Sequence, residues 1–147
     1  MSKIYLASSW NNNKQPLAVK KLMDIGHSVY DFRNPNGRKD RSVWEDIGYT
    51  NIQVKRMNKK VFKEALRKKQ TKDRFQDHHK AMLETDICIL LLPCGKSAHI
   101  EAGYMAGNGK RVFVMDLQNT MTQAELMYMT FDGYFYEWEE LFKAIAI

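Results

Sequence analysis

The run ICILLL, residues 87–92, constrains this chain more than any other stretch. Six apolar side chains stand in a row with no polar residue to turn towards water. A strand with one wet face alternates apolar and polar residues, so an unbroken run reads as a central parallel strand covered on both faces. Such a strand needs helices on each side of its sheet. The flanking sequence supplies them. KIYLAS (3–8) reads as a buried first strand, and the turn SSWNNNKQP carries helix-start residues. LAVKKLMDIG (17–26) has helical spacing and stops at Gly26; HSVYDF (27–32) reads as a second strand, followed by a loop rich in turn formers. The spacing predicts helices over 51–70, over about 73–85 and from about Ala98 to Asn108, then a strand over 110–116. A short helix near TQAELMYM, the stretch FDGYFY and a last helix WEELFKAI complete the chain. With no internal repeat or linker, residues 1–147 form one α/β domain, a parallel sheet of about five strands with helices on both faces.

Composition excludes several classes. Hydrophobic residues at 44% and charged ones at 27% are a globular balance, not a disordered one. No apolar stretch approaches the roughly 18 to 20 residues that span a bilayer. The start MSKIYLASSW lacks a signal-peptide apolar region, so the expected location is the cytoplasm. Two cysteines, Cys88 and Cys94, fit a reducing compartment, and Cys88 within the aliphatic run reads as a small buried hydrophobe.

The net charge of +6 is unevenly placed: residues 33–80 hold 15 of the 23 Lys and Arg against 6 acids. Ile52, Met57, Val61, Ala65 and Leu66 fall roughly on one stripe among lysines, so a solvated amphipathic face is the favoured reading. Attraction of small anionic ligands to a nearby pocket comes second, and a nucleic-acid tract third. The expected partner is a small molecule, with nucleic acid and membrane not expected.

In parallel sheets, ligands bind beyond the carboxyl ends of the strands. That selects the segments after Ala7, after Phe32 and after Leu92. In PCGKSAHIEAGYMAGNGK (93–110), Glu101 reads as a first-turn carboxylate, where unpaired N–H groups and the helix dipole keep it ionised. Gly95, Ala98, Ala102, Gly103, Ala106 and Gly107 keep its surroundings small. Such residues admit a ligand to the backbone or permit tight helix packing, and both readings stand. Ser97 is either a helix cap or, with Lys96 and Gly95, part of an anion site; the segment lacks the glycine spacing of a Walker A loop. His99 reads as a packed imidazole before a ligand contact. Asp86 reads as structural. Asp77 is a solvated helix acid unless it faces Glu101, in which case the two carboxyls suit cleavage of a glycosidic bond. His78, His79 and His99 do not have metal-ligand spacing, so neither metal nor cofactor is expected. Ser8, Ser9 and Trp10 after the first strand, Asp31, Phe32 and Arg33 after the second, and Trp44 beyond them offer hydroxyls, charges and rings to a ligand, or core and lid packing.

KIYLASSW, GHSVYDFRNP and ETDICILLLPCGKSAHIEAGYMAGNGKRVFV together resemble the nucleoside 2-deoxyribosyltransferase-like superfamily, which includes nucleoside 5′-monophosphate N-glycosidases. Within it the chain is similar to short bacterial and phage proteins carrying P-C-G-[KR]-S-A-H-[IL]-E-A-G. The resemblance covers roughly residues 3–116. It implies a flavodoxin-like fold and cleavage of a base–sugar bond, by hydrolysis or by transfer to another base. It puts the family's nucleophilic Glu on Glu101 and its second acid on or near Asp77, with His78 the alternative occupant. The serine-rich loop corresponds to Ser8 and Ser9, and the phosphate- or sugar-contacting turn to Gly95 and Ser97. The family's D-x-G-T-like turn is replaced by Cys94, Gly95, Lys96 and Ser97. Family sites are often completed across a homodimer, so a dimer is expected. On this reading Lys96, Ser97 and Ser8 receive a 5′-phosphate, and Trp10, Phe32 or Trp44 covers the base. The other function class is a nucleotide-binding module that senses or sequesters a nucleotide without turnover.

Overall fold

The computed structural model describes residues 1–35, 42–118 and 123–146. Five parallel strands form one sheet: β1 (Lys3–Ala7), β2 (Ser28–Tyr30), β3 (Ile87–Leu92), β4 (Arg111–Asp116) and β5 (Gly133–Phe135), in the order β2-β1-β3-β4-β5. The helices are α1 (Gln15–Asp24), α2 (Val43–Asp46), α3 (Asn51–Lys55), α4 (Lys59–Arg67), α5 (Lys69–Glu84), α6 (Lys96–Gly107) and α7 (Trp138–Ile145). A 3-10 helix spans Leu126–Thr130.

All six side chains of ICILLL are buried. Because successive strand residues point to opposite faces, the sheet has two cores. Tyr5, Ala7, Cys88, Leu90, Leu92, Val112 and Val114 pack with Ala81, Met82, Ala98, Ala102 and Met105 of α5 and α6. Ile4, Leu6, Ile87, Ile89, Leu91, Phe113 and Met115 pack with Ala18, Leu22, Leu141 and Ile145 of α1 and α7. Each buried Leu or Ile contributes roughly 1.5–3 kcal/mol, which makes β3 the strand that holds the two layers together. The α1 helix stops as read, with Gly26 at φ +95° just past its end.

Several elements differ from the sequence reading: α1 begins at Gln15, α2 is not foreseen there, and α5 begins at Lys69. Residues 51–70 do not form one helix. Asn58 accepts from the Val61 N–H at 2.9 Å and starts α4, so its side chain supplies the bond that an α3 carbonyl would otherwise make. The α6 helix begins at Lys96 and not at about Ala98, with Gly95 as its extended N-cap residue. The helix near TQAELMYM is a single 3-10 segment, and FDGYFY yields β5.

Chain direction across the sheet reverses between β1 and β3. From β1 the chain crosses to β2 on one side, and from β3 to β4 on the other. Helices on the two flanks therefore diverge at the carboxyl ends of β1 and β3 and leave a crevice there.

Candidate active site

That crevice is occupied by a cleft of about 240 Å³ lined by Ser9, Asn11, Asn12, Pro93, Cys94 and Gln123. Its β1 wall is held by bonds from one strand end to the other. The Ser8 hydroxyl donates to the Leu91 carbonyl at 3.0 Å. The Asn12 amide donates to Ser8 Oγ at 3.1 Å and to the Pro93 carbonyl at 3.3 Å, while its oxygen accepts from the Lys14 N–H at 2.9 Å. Arg33 donates to the carbonyls of Ser9, Trp10 and Asn12, wrapping the β1–α1 loop around one guanidinium. Asp31 accepts from Gln15 Nε2 at 2.7 Å and from the Arg33 N–H at 2.9 Å. Phe32 is buried edge-on to Trp10 at 5.2 Å.

The opposite wall is clamped by Gln123. Its oxygen accepts from the Cys94 N–H at 2.9 Å and its nitrogen donates to the Cys94 carbonyl at 2.7 Å. A second tie runs through His99. Its Nδ1 lies 2.8 Å from the Gly95 carbonyl, which can only accept, so Nδ1 carries the proton. Nε2 then accepts from the Tyr128 hydroxyl at 2.8 Å, and the two rings stack at 5.8 Å. His99 thus joins α6 to the 3-10 helix, the packed imidazole expected of it. The Cys94 thiol lies 3.7 Å from His99, yet burial, followed by the Glu101 charge, pushes it up to about 12, so it is not a thiolate nucleophile.

Glu101 lies on α6, five residues past the helix start and near enough for its charge to act on Cys94. No acid stands in the first turn, so the helix terminus does not govern its charge as the sequence reading had it. The carboxylate instead accepts a bond from the Tyr5 hydroxyl of β1, two side chains on the α5–α6 side of the sheet. Burial raises Glu101 from the usual carboxylate range to about 7, while the Tyr5 bond pulls the other way. A permanently ionised carboxylate is therefore replaced by one poised near neutrality. Burial and the same carboxylate hold Tyr5 well above the usual phenol range, so Tyr5 stays a donor.

Tyr5 stacks on Tyr30 of β2 with ring centroids 5.3 Å apart and planes within 16°. The Tyr30 hydroxyl in turn lies 2.9 Å from His78 Nδ1 of α5. Asp77 is partly exposed on the same helix.

The candidate residues thus separate into groups. Ser9 lines the cleft, and Gly95, Lys96 and Ser97 are exposed just past it. Ser97 does not cap α6: the N-cap position is Gly95, and no side-chain cap bond forms there. Ser8, Asp31 and Arg33 are engaged in bonds that shape the loops. Trp44 packs on Phe62 of α4 at 6.5 Å, within the helical layer after β2. Among the described residues, no group of three or more His, Cys, Asp and Glu is arranged to hold a metal ion. Sequence reading missed Tyr5, Asn12, Gln123 and Tyr128. Only Tyr5 carried a local signal, a hydroxyl within an otherwise apolar strand.

No family model matches the chain, and no curated protein matches it in sequence. Solved structures do. A 2-deoxyribosyltransferase from Bacillus psychrosaccharolyticus superposes with a TM-score of 0.55 at 20% identity, covering 95% of this chain and 90% of that one. CMP N-glycosidase BcmB from Clostridium botulinum gives 0.54 at 12% identity over 99% of both chains. A response regulator from Thermotoga maritima gives 0.51 at 14% identity, covering 99% of this chain and 97% of that one. At these identities the likeness establishes a flavodoxin-like fold, and the response regulator illustrates that this fold alone does not choose a function.

Proposed function

We propose that the protein cleaves the N-glycosidic bond of a nucleoside or nucleoside 5′-monophosphate, with Glu101 as nucleophile. The observation that carries this reading is the pairing of a half-buried carboxyl, poised near neutrality on the helix that begins just past a cleft at the sheet's switch point, with a tyrosine hydroxyl. Two structures of the same fold, the deoxyribosyltransferase and the CMP N-glycosidase, support it. Tyr5 orients one carboxylate oxygen and leaves the other to approach C1′ on the face away from the base. The bond from C1′ to the base breaks with its electron pair going to the base nitrogen, giving a glycosyl ester on Glu101. Water or a second base then resolves the ester. An acid on the α5 side assists departure; the sequence resemblance points to Asp77 for this role.

Among the described residues, the cleft lining contains no charged side chain, which suits a neutral base and sugar. Lys96 and Ser97, exposed at the adjoining start of α6, are the groups available to a 5′-phosphate, and their presence favours a nucleotide over a nucleoside. Trp10, in the loop that carries Ser9 and Asn12, is assigned to cover the base. A homodimer is part of this proposal. Ile100 and Phe75 are 70% and 62% exposed on α6 and α5, joined by Leu83 and Tyr104, an apolar face for a second copy.

A binding module without turnover is the second reading, favoured by the partial protonation of Glu101 near pH 7. One experiment separates them. The protein is incubated with nucleosides, 5′-monophosphates and dinucleotides, and free base is followed by chromatography beside calorimetric binding. Base release from at least one of them supports the glycosidase. Saturable binding with no base from any of them supports the module.

A further inference from the structure

The stripe Ile52, Met57, Val61, Ala65 and Leu66 would make the lysines around it the wet back of one packed helix, but it does not pack as one. The chain breaks at Asn58, and of the five residues only Ala65 is buried. Ile52 is 66% exposed and Leu66 44%. The cations of this segment therefore stand on a surface of their own. Residues 51–72 hold nine Lys and Arg against one acid, Glu64, and all nine are exposed. Among the described residues, only Lys69 of the nine forms an ion pair, with Asp73 at 2.5 Å.

On α4 these cations form a row. Lys59, Lys63 and Arg67 follow one another at four-residue spacing, and with Lys60 they fill an arc of about 100°. The arc is centred opposite Ala65, whose carbonyl accepts from the Thr71 hydroxyl of α5 at 2.7 Å. Like charges four residues apart destabilise a helix, so the row works against α4 until an anion meets it. Glu64 stands outside the arc, about 40° beyond Lys60. Apolar groups border the other edge. Phe62 is 44% exposed, lies about 60° round the helix from Lys59 and packs on Trp44 at 6.5 Å. At the end of α4, Lys68 lies over the Tyr49 ring at 5.7 Å.

We infer that the layer α3–α5 is a docking surface for single-stranded nucleic acid. The inference does not depend on the glycosidase reading. The α4 row is about 14 Å long, enough to follow about four phosphates of one strand. Phe62 and Trp44 offer ring faces to the bases beside it. Cations that track a backbone next to stacking rings are how a single strand is held without sequence preference. An anionic bilayer is served less well. A helix lying in a membrane interface presents one continuous apolar face, and here that face is interrupted at Asn58.

The test titrates the whole protein into a short labelled oligothymidine from about 50 to about 200 mM salt and follows anisotropy. The expected slope of log affinity against log salt is about −2 to −3, as three or four phosphate contacts require. Lys59→Gln, Lys63→Gln and Arg67→Gln together weaken binding at least about tenfold and flatten that slope by about 2. Phe62→Leu keeps an apolar contact for Trp44 but loses the ring, so affinity falls several-fold with the slope unchanged. Because the row is self-repelling, the triple variant melts no lower than wild type. Absent or salt-insensitive binding overturns the inference, as does wild-type affinity in the triple variant. Tighter binding to phosphatidylserine vesicles, or equal affinity for a duplex of the same length, overturns it as well. A triple variant that melts well below wild type shows the row to be structural, with the same consequence.

Discussion

The Tyr5 hydroxyl donates to the Glu101 carboxylate, joining the first strand to the helix after the central strand across 96 positions of sequence. A bond to the charged form favours ionisation, so this contact keeps a desolvated carboxyl usable near neutrality. Tyr5→Phe removes it. The rising limb of the pH–rate profile then moves above its midpoint of about 7, and kcat/KM at pH 7 falls by roughly 10- to 100-fold. An unshifted profile in Tyr5→Phe means that the hydroxyl does not set the charge of Glu101.

Glu101 also links stability to pH. The folded carboxyl holds its proton up to about 7, whereas the unfolded one releases it near 4.5. The native state therefore binds more protons between those values, and stability falls as pH rises through that window. The loss is at most about 3 kcal/mol. Glu101→Gln removes it, so this variant melts roughly 5 to 10 °C above wild type at pH 8 and close to wild type at pH 4. Equal melting at both pH values refutes the desolvated state of this carboxyl.

Arg33 holds three carbonyls of the β1–α1 loop, with Asp31 fixing the turn from which it reaches. Arg33→Ala leaves those carbonyls to water and loosens the Ser9–Asn12 wall of the cleft. Urea titration is expected to show a loss of about 2 kcal/mol, and substrate KM rises with it. Arg33→Lys rescues little, because an ammonium lacks the planar fork that spans the loop. Full rescue by lysine indicates that the charge alone suffices.

Gln123 clamps both backbone groups of Cys94 on the other wall. Gln123→Ala frees that wall without touching Glu101 or Tyr5. The expected signature is a KM increase of about tenfold with kcat within about twofold. A fall in kcat with unchanged KM assigns Gln123 to the chemical step instead.

The parallel sheet was legible because ICILLL admits no other setting, and Gly26 announced its helix end. The site was legible only as a location. After a strand, Ser8, Asp31 and Arg33 look the same in sequence whether they hold a loop or a ligand, and here they hold loops. The charge of Glu101 was misread because α6 starts at Lys96, which moves the carboxylate away from the helix terminus and against the Tyr5 hydroxyl. Its partners, like those of Cys94 and His99, come from distant strands and turns that no local pattern connects. The split of residues 51–70 at Asn58 turned on a single side-chain bond to Val61.

The central claim is that Glu101 attacks the anomeric carbon of a nucleoside or nucleotide. The most direct measurement is base release by Glu101→Ala in the absence and presence of azide, with the sugar product identified by mass. Loss of at least about 10³-fold, with azide restoring base release and appearing as a sugar azide, is the predicted result. Base release by Glu101→Ala at the wild-type rate contradicts the account.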